Sequence, residues 1–262
     1  MDENIRKKLD GLAEGADVII ANPDDIEKLK DQGLPLKVVP SKTINELFQE
    51  RLRSAIEVAN HLPCLPDKLP PAIKSLYQEI RECIFFGLHG AAITLSGNLI
   101  EFSLKHATYV KEVGGYQKYD ELKWDEFETI EFGTAINRAK RAGLLPSKMA
   151  KQLQSFREDI RNPYSHYNIK KITEDVIAGK VRRINLSSGE IEELDIPAKE
   201  NPMIQAQVKP WVDQQRVLGV FHFADTIVKY LIAKLDEHLK ERCQHTSYNQ
   251  ANTADAKSRA AD

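Results

Sequence analysis

Between Ala91 and Val110 the chain carries apolar residues on more than one side of a helix. Ala92, Leu95, Leu99 and Phe102 form one stripe, and Ile93, Gly97, Ile100 and Leu104 the next. A helix of that kind cannot leave either stripe in water, so other helices must cover it. Its neighbours have the right pattern. Ala72 to about Leu88 places Ile73, Leu76, Tyr77, Ile80, Ile84 and Leu88 on one stripe. Trp124 to about Ala142 turns Phe127, Ile130, Phe132 and Ile136 inward. Pro146 opens a further helix through Met149, Leu153, Phe156 and Ile160, interrupted at Pro163 and resuming through Ile169, Ile172, Val176 and Ile177 to Gly179. Trp211 to Arg242 repeats Val217, Val220, Phe221, Ala224, Ile227, Val228, Leu231 and Leu235. The expectation is a mainly α fold: an antiparallel bundle of about five helices over residues 71–242.

Other segments depart from this period. Residues 1–62 read as a small N-terminal α/β unit, with strand candidates at Val18–Ile20 and Leu36–Val39 and a helix over Ser41–Asn60. The segment His61–Pro71 holds four prolines and cannot be a helix interior, so it marks the boundary between units. Val181, Ile184 and Leu186, then Ser187-Ser188-Gly189, then Ile191, Leu194 and Ile196 predict a β-hairpin inserted at 181–196. Pro197, Pro202 and Pro210 mark a return loop. The polar stretch 245–262 reads as a disordered tail.

Composition excludes several function classes. The longest apolar runs, such as Cys83–Leu88, are too short to span a bilayer, and the acidic start Met1-Asp2-Glu3-Asn4 lacks a secretory pattern. A cytoplasmic protein with no membrane partner is expected. Cys64, Cys83 and Cys243 form no CxxC pair, and His222, His238, Cys243 and His245 have no metal-ligand spacing, so no metal or other cofactor is expected. The net charge of −2 argues against a general nucleic-acid coat. Yet Arg138–Arg183 holds twelve Lys or Arg against four Asp or Glu.

That basic window contains Arg161-Asn162-Pro163-Tyr164-Ser165-His166. Asn162 followed by Pro163 predicts a cap and a new helix start, with free N–H groups able to take a phosphate. On an unbroken helix Arg161 and His166 would point about 140° apart. They converge on one ligand only if the chain bends at Pro163, or if two chains each supply one side of a cleft. A guanidinium can grip a phosphate, and an imidazole can move the proton of a ribose 2′-hydroxyl. Two readings stay open for the pair: an RNA-cleaving or RNA-binding site, or a helix-capping Arg161 with a core His166. Glu101 either orients one of them or is a surface carboxylate. Lys170, Lys171, Arg182 and Arg183 either follow an RNA backbone or are ordinary solvated charges. Tyr164 either stacks on a base or packs in the bundle.

Arg161-Asn162-x-x-x-His166 resembles the R-N-x-x-x-H form of the Arg-x(4–6)-His motif of HEPN domains. The stretch from Leu76-Tyr77-Gln78-Glu79 to Glu101-Phe102-Ser103-Leu104-Lys105 is similar to that superfamily's second-helix region. Gly143-Leu144-Leu145, with Leu153 and Arg157, fits the lead-in to the motif. The resemblance covers about residues 71–242 and implies a homodimer whose two motifs face a shared cleft. It also implies a metal-independent endoribonuclease in a toxin–antitoxin or phage-defence setting, with Arg161 and His166 as the catalytic pair and Asn162 as the accompanying polar residue. A catalytically silent module that binds RNA, a nucleotide or a protein partner is the other reading it allows. Some toxin members carry Tyr two positions after the His, where this chain has Asn168. The modular layout leaves residues 1–62 as a place where an antitoxin-like or regulatory protein could bind.

Overall fold

The computed structural model describes residues 44–184 and 191–259 of the chain. The strand candidates at Val18–Ile20 and Leu36–Val39 lie outside them, as does Ser187-Ser188-Gly189. The described part is mainly helical. Among the described residues two compact units are distinguished: residues 44–48 with 177–184 and 191–196, and residues 49–176 with 197–259. The division falls inside helix α1 (Ile44–Ala59) and not at the proline-rich segment, which belongs with the helical unit. In the first unit, β1 (Ile177–Ile184) and β2 (Ile191–Pro197) pair as a two-stranded sheet.

The second unit is built around α3 (His89–Val113). Its buried residues, from Ala92 through Leu99, Ile100 and Leu104 to Val110, occupy several faces, as a central helix requires. Helix α2 (Pro71–Phe85) starts with proline at its first position and packs Ile73, Tyr77, Ile80 and Ile84 inward. It stops earlier than its stripe predicts. Gly87 takes φ +67°, the Leu88 N–H bonds back to the Cys83 carbonyl, and Leu88 is left exposed as the residue before α3.

The single helix expected over 124–142 is two, α4 (Glu121–Thr129) and α5 (Phe132–Arg141). Phe127 and Phe132 are both buried. On one continuous helix they would point about 140° apart, so extended backbone at Ile130 and Glu131 lets both reach the core. Asp120 caps α4 by accepting from the Lys123 N–H at 3.2 Å. Helix α6 (Ser147–Phe156) follows Pro146 and buries Ala150, Leu153 and Phe156.

The final helix, α9, runs Pro202–Arg259. Asn201 caps it, its Oδ1 accepting from the N–H groups of Met203 and Ile204, with Pro202 at the first position. Residues 202–210 are therefore helix and not a return loop, and Pro210 sits inside it. Its C-terminal bound takes in most of the polar stretch for which composition predicts no fixed structure. That stretch holds Gln, Ala, Lys and Arg with no Gly or Pro to stop a helix. Helix α9 packs along α3 and places Val217, Phe221, Ala224, Val228 and Leu231 in the core. The Tyr77 and Phe221 rings meet there at 4.9 Å between centroids.

Candidate functional site

The break expected at Pro163 takes another form. After α6 the backbone widens into a π-turn over Arg157–Arg161, in which the Asn162 N–H bonds to the Arg157 carbonyl five residues back. It then tightens into one helical turn, α7 (Asn162–Ser165). Proline offers no N–H, and in a regular helix its ring meets the carbonyl four residues earlier. A widened turn just ahead of Pro163 relieves that clash without ending the helix. Asn162 is itself helical (φ −66°, ψ −46°) and so is not a cap. Its Oδ1 instead accepts from Arg161 Nη1 at 3.4 Å. The cradle of free N–H groups that a new helix start would offer is thus not formed at Pro163. His166 ends α7 and does not lie in its first turn.

Beyond it, Tyr167 takes φ +51°, and Asn168 caps the one-turn helix α8 (Ile169–Ile172) by accepting from the Lys171 N–H at 3.1 Å. The helix expected to continue to Gly179 therefore ends at Ile172, and strand β1 begins at Ile177. Val176 and Ile177 are β-branched, which suits a strand better than a helix end.

Arg161 is half-buried and held from several directions. Its Nη2 donates to Glu101 Oε2 at 2.8 Å, and its guanidinium lies 5.9 Å from the centroid of the buried Phe132 ring. Its stem rests against Gly97 of α3, where a Cβ would stand only 3.0 Å from Arg161 Cγ. Glu101 also binds Lys105 through Oε1 at 3.0 Å, so one carboxylate holds two cations. These residues, with Asn98, Phe102, Trp124, Phe127 and Glu128, line a cleft of about 440 Å³.

His166 is exposed and is not among the residues lining that cleft. From Arg161 to His166 the backbone stays helical, with the His166 N–H bonded to the Asn162 carbonyl, so the two side chains leave the axis in different directions. Tyr164 is 5% exposed and donates to Asp213 Oδ1 at 2.8 Å, which ties its hydroxyl to the last helix of the bundle. Burial first, and the bond to Asp213 second, raise its pKa above the usual phenol range. Tyr167, 66% exposed, is the accessible ring of this segment. Lys170 is exposed, and Lys171 pairs with Glu174. Arg182 and Arg183 fall on β1.

Several neighbours were not legible beforehand. Lys105 follows Glu101 by four residues, an ordinary helical ion-pair spacing that could have signalled it. Trp124 arrives from another helix and has no local signal. A second cleft, of about 470 Å³, is lined by Tyr164, Tyr167, Lys209, Asp213 and the start of α3. Lys209 lies within 5.4 Å of both tyrosine rings and is paired with Asp213. Among the described residues no group of His, Cys, Asp or Glu is arranged to hold a metal ion, and no helix is long and apolar enough to cross a membrane. In comparisons with known proteins the chain matches no family model, no curated protein and no solved structure.

Proposed function

We propose that the chain is a metal-independent endoribonuclease of the HEPN type, acting as a cytoplasmic homodimer in a toxin–antitoxin or phage-defence system. In this reading residues 1–62 form an α/β accessory and 181–196 an inserted hairpin. The observation that carries it is the anchoring of Arg161: a cation fixed at a cleft wall by Glu101, five residues before an exposed imidazole. A fixed guanidinium is ready to bind a phosphate with little further ordering. Since one chain turns Arg161 and His166 apart, the composite site forms where two copies meet.

The ribose 2′-oxygen attacks phosphorus. The new 2′-O–P bond forms as the P–O5′ bond breaks, giving a 2′,3′-cyclic phosphate and a 5′-hydroxyl. A neutral His166 imidazole takes the 2′ proton, and the protonated imidazole of the second copy gives one to the departing 5′-oxygen. Arg161 stabilises the charge gathering on the non-bridging oxygens.

Purified protein in EDTA is incubated with structured RNA and with a copy of it carrying 2′-deoxy nucleotides. The wild type is expected to cut only RNA, and His166→Ala and Arg161→Ala each to slow cleavage by about 10²-fold or more. Cleavage that survives His166→Ala, or a wild type that cuts nothing, defeats the nuclease reading. The Glu101–Arg161 ion pair favours one alternative: a silent module in which Arg161 holds the bundle together and the cleft only binds RNA, a nucleotide or a protein.

A further inference from the structure

We propose that the cleft between α3, α4 and the widened turn takes one unpaired nucleotide of RNA, its base on the aromatic wall and its phosphate on Arg161 and Lys105. This rests on the reading of Arg161 as a phosphate-holding residue and adds the unit of substrate that it holds.

The aromatic wall is built from Phe102, Trp124 and Phe127. The indole is fixed before any ligand arrives. Its Nε1 donates to Glu128 Oε1 at 2.9 Å, and the rings of Tyr109 and Phe102 meet it edge-on at 5.0 and 6.2 Å. A ring held in this way presents a stacking surface with little entropy left to lose.

The opposite corner is cationic. Glu101 divides its two oxygens between Arg161 and Lys105, so two positive charges share one negative charge. Glu128 also lines the cleft: its carboxylate accepts from the indole and keeps its charge, and its carbonyl takes a hydrogen bond from Lys105 Nζ at 3.1 Å, so the lining balances two cations with two carboxylates and what it offers a ligand is unfilled donors. A guanidinium has five N–H groups and an ammonium three. The bonds to Glu101, Asn162 and Glu128 leave donors over on both cations. Arg161 Nε is sealed from solvent without a partner, so the donors open to a ligand are on the Nη groups. The exposed amide of Asn98 stands on the same rim.

An aromatic wall facing surplus donors matches the two halves of a nucleotide. The cleft volume is in the range of small-ligand sites. Stacking of this kind requires the base to be out of a duplex, which selects single-stranded segments, and it tolerates every base.

The test uses the full chain carrying Trp211→Phe, which leaves Trp124 as the sole tryptophan. Its fluorescence is followed during titration with 5′-AMP, with adenosine and with inorganic phosphate. Saturable quenching by AMP is expected, with adenosine and phosphate each weaker by about tenfold or more. Asn98→Asp places a carboxylate on the exposed rim without touching the core and is expected to weaken AMP about tenfold, with circular dichroism unchanged. Arg161→Gln is expected to do the same. No quenching at millimolar AMP, or equal affinity in both variants and the parent, overturns the proposal. RNA cleavage without an AMP response removes the pocket and leaves the nuclease. An AMP response in a protein that cuts no RNA removes the nuclease and keeps the pocket.

Discussion

Gly97 decides where Arg161 can lie. The arginine stem crosses α3 at the one point in that turn with no side chain, and any Cβ there crowds its Cγ. Gly97→Val is expected to lower stability by about 1–3 kcal/mol and to break the Glu101 contact, read by urea unfolding. Gly219 is the counter-case: it is exposed on α9 with open space where a Cβ would go. Gly219→Ala is expected to raise stability by about 0.5–1 kcal/mol, because a helix-interior glycine costs about that much. A gain of similar size at Gly97 would show that the close approach does not constrain Arg161. His106 offers a pH handle. It packs beside Phe102, Tyr116 and Trp124, and burial holds its pKa below the ordinary 6.5. The unfolded chain therefore binds a proton more readily than the folded one. The stability His106 contributes is complete above pH 6.5 and is lost as the pH falls towards its lower folded value. Melting curves at pH 7.5 and 5.5 should show a smaller acid loss for His106→Phe than for the wild type; equal losses would rule this out.

At the scale of elements, the stripes of α2, α3, α6 and α9 were readable, because burying one helix face leaves a 3.6-residue period in the sequence. The termini were less so. Asn162-Pro163 and Asn201-Pro202 carry the same cap-and-proline signal, yet only at the second does the asparagine cap a helix. The difference lies in what precedes them: packed α6 feeds into Asn162, whereas Asn201 follows a strand and a short 3-10 turn. Local chemistry was alike in both, and tertiary packing chose. The candidate site shows the same division. Arg161 and Glu101 could be paired as candidates, but the cleft they share with Trp124 depends on α4 lying beside α3 and the widened turn, which leaves no local signal. Pro210 is a further tertiary choice, since it interrupts α9 without ending it. Pro210→Ala restores a backbone donor and is expected to raise the melting temperature, with a gain of about 1–3 kcal/mol. A lower melting temperature would mean that the lining of the Lys209 cleft needs the proline.

Across the helical unit, α9 carries two buried carboxylates, each taking a tyrosine hydroxyl from a distant part of the chain. Asp213 accepts from Tyr164, and Asp225 accepts from Tyr77 at 2.7 Å. Each aspartate is also paired with a lysine four residues away on its own helix. Burial and the bond to Asp225 raise the Tyr77 pKa well above its usual value, so this hydroxyl keeps its proton and stays a donor. Tyr77→Phe should cost about 1–3 kcal/mol, because the buried carboxylate loses a partner while the ring still fills its place. If that variant unfolds at the same urea concentration as the wild type, the contact is not a fastener.

The shared carboxylate of Glu101 has a consequence for timing. Its cations already hold a resident anion, so an anion reaching their remaining donors, as the proposed phosphate does, meets charge that is already partly neutralised. Binding there releases less free energy than filling a vacant cationic hole. If the cleft takes a nucleotide as proposed, guests should therefore leave quickly, and the dissociation rate of AMP is the quantity that shows it.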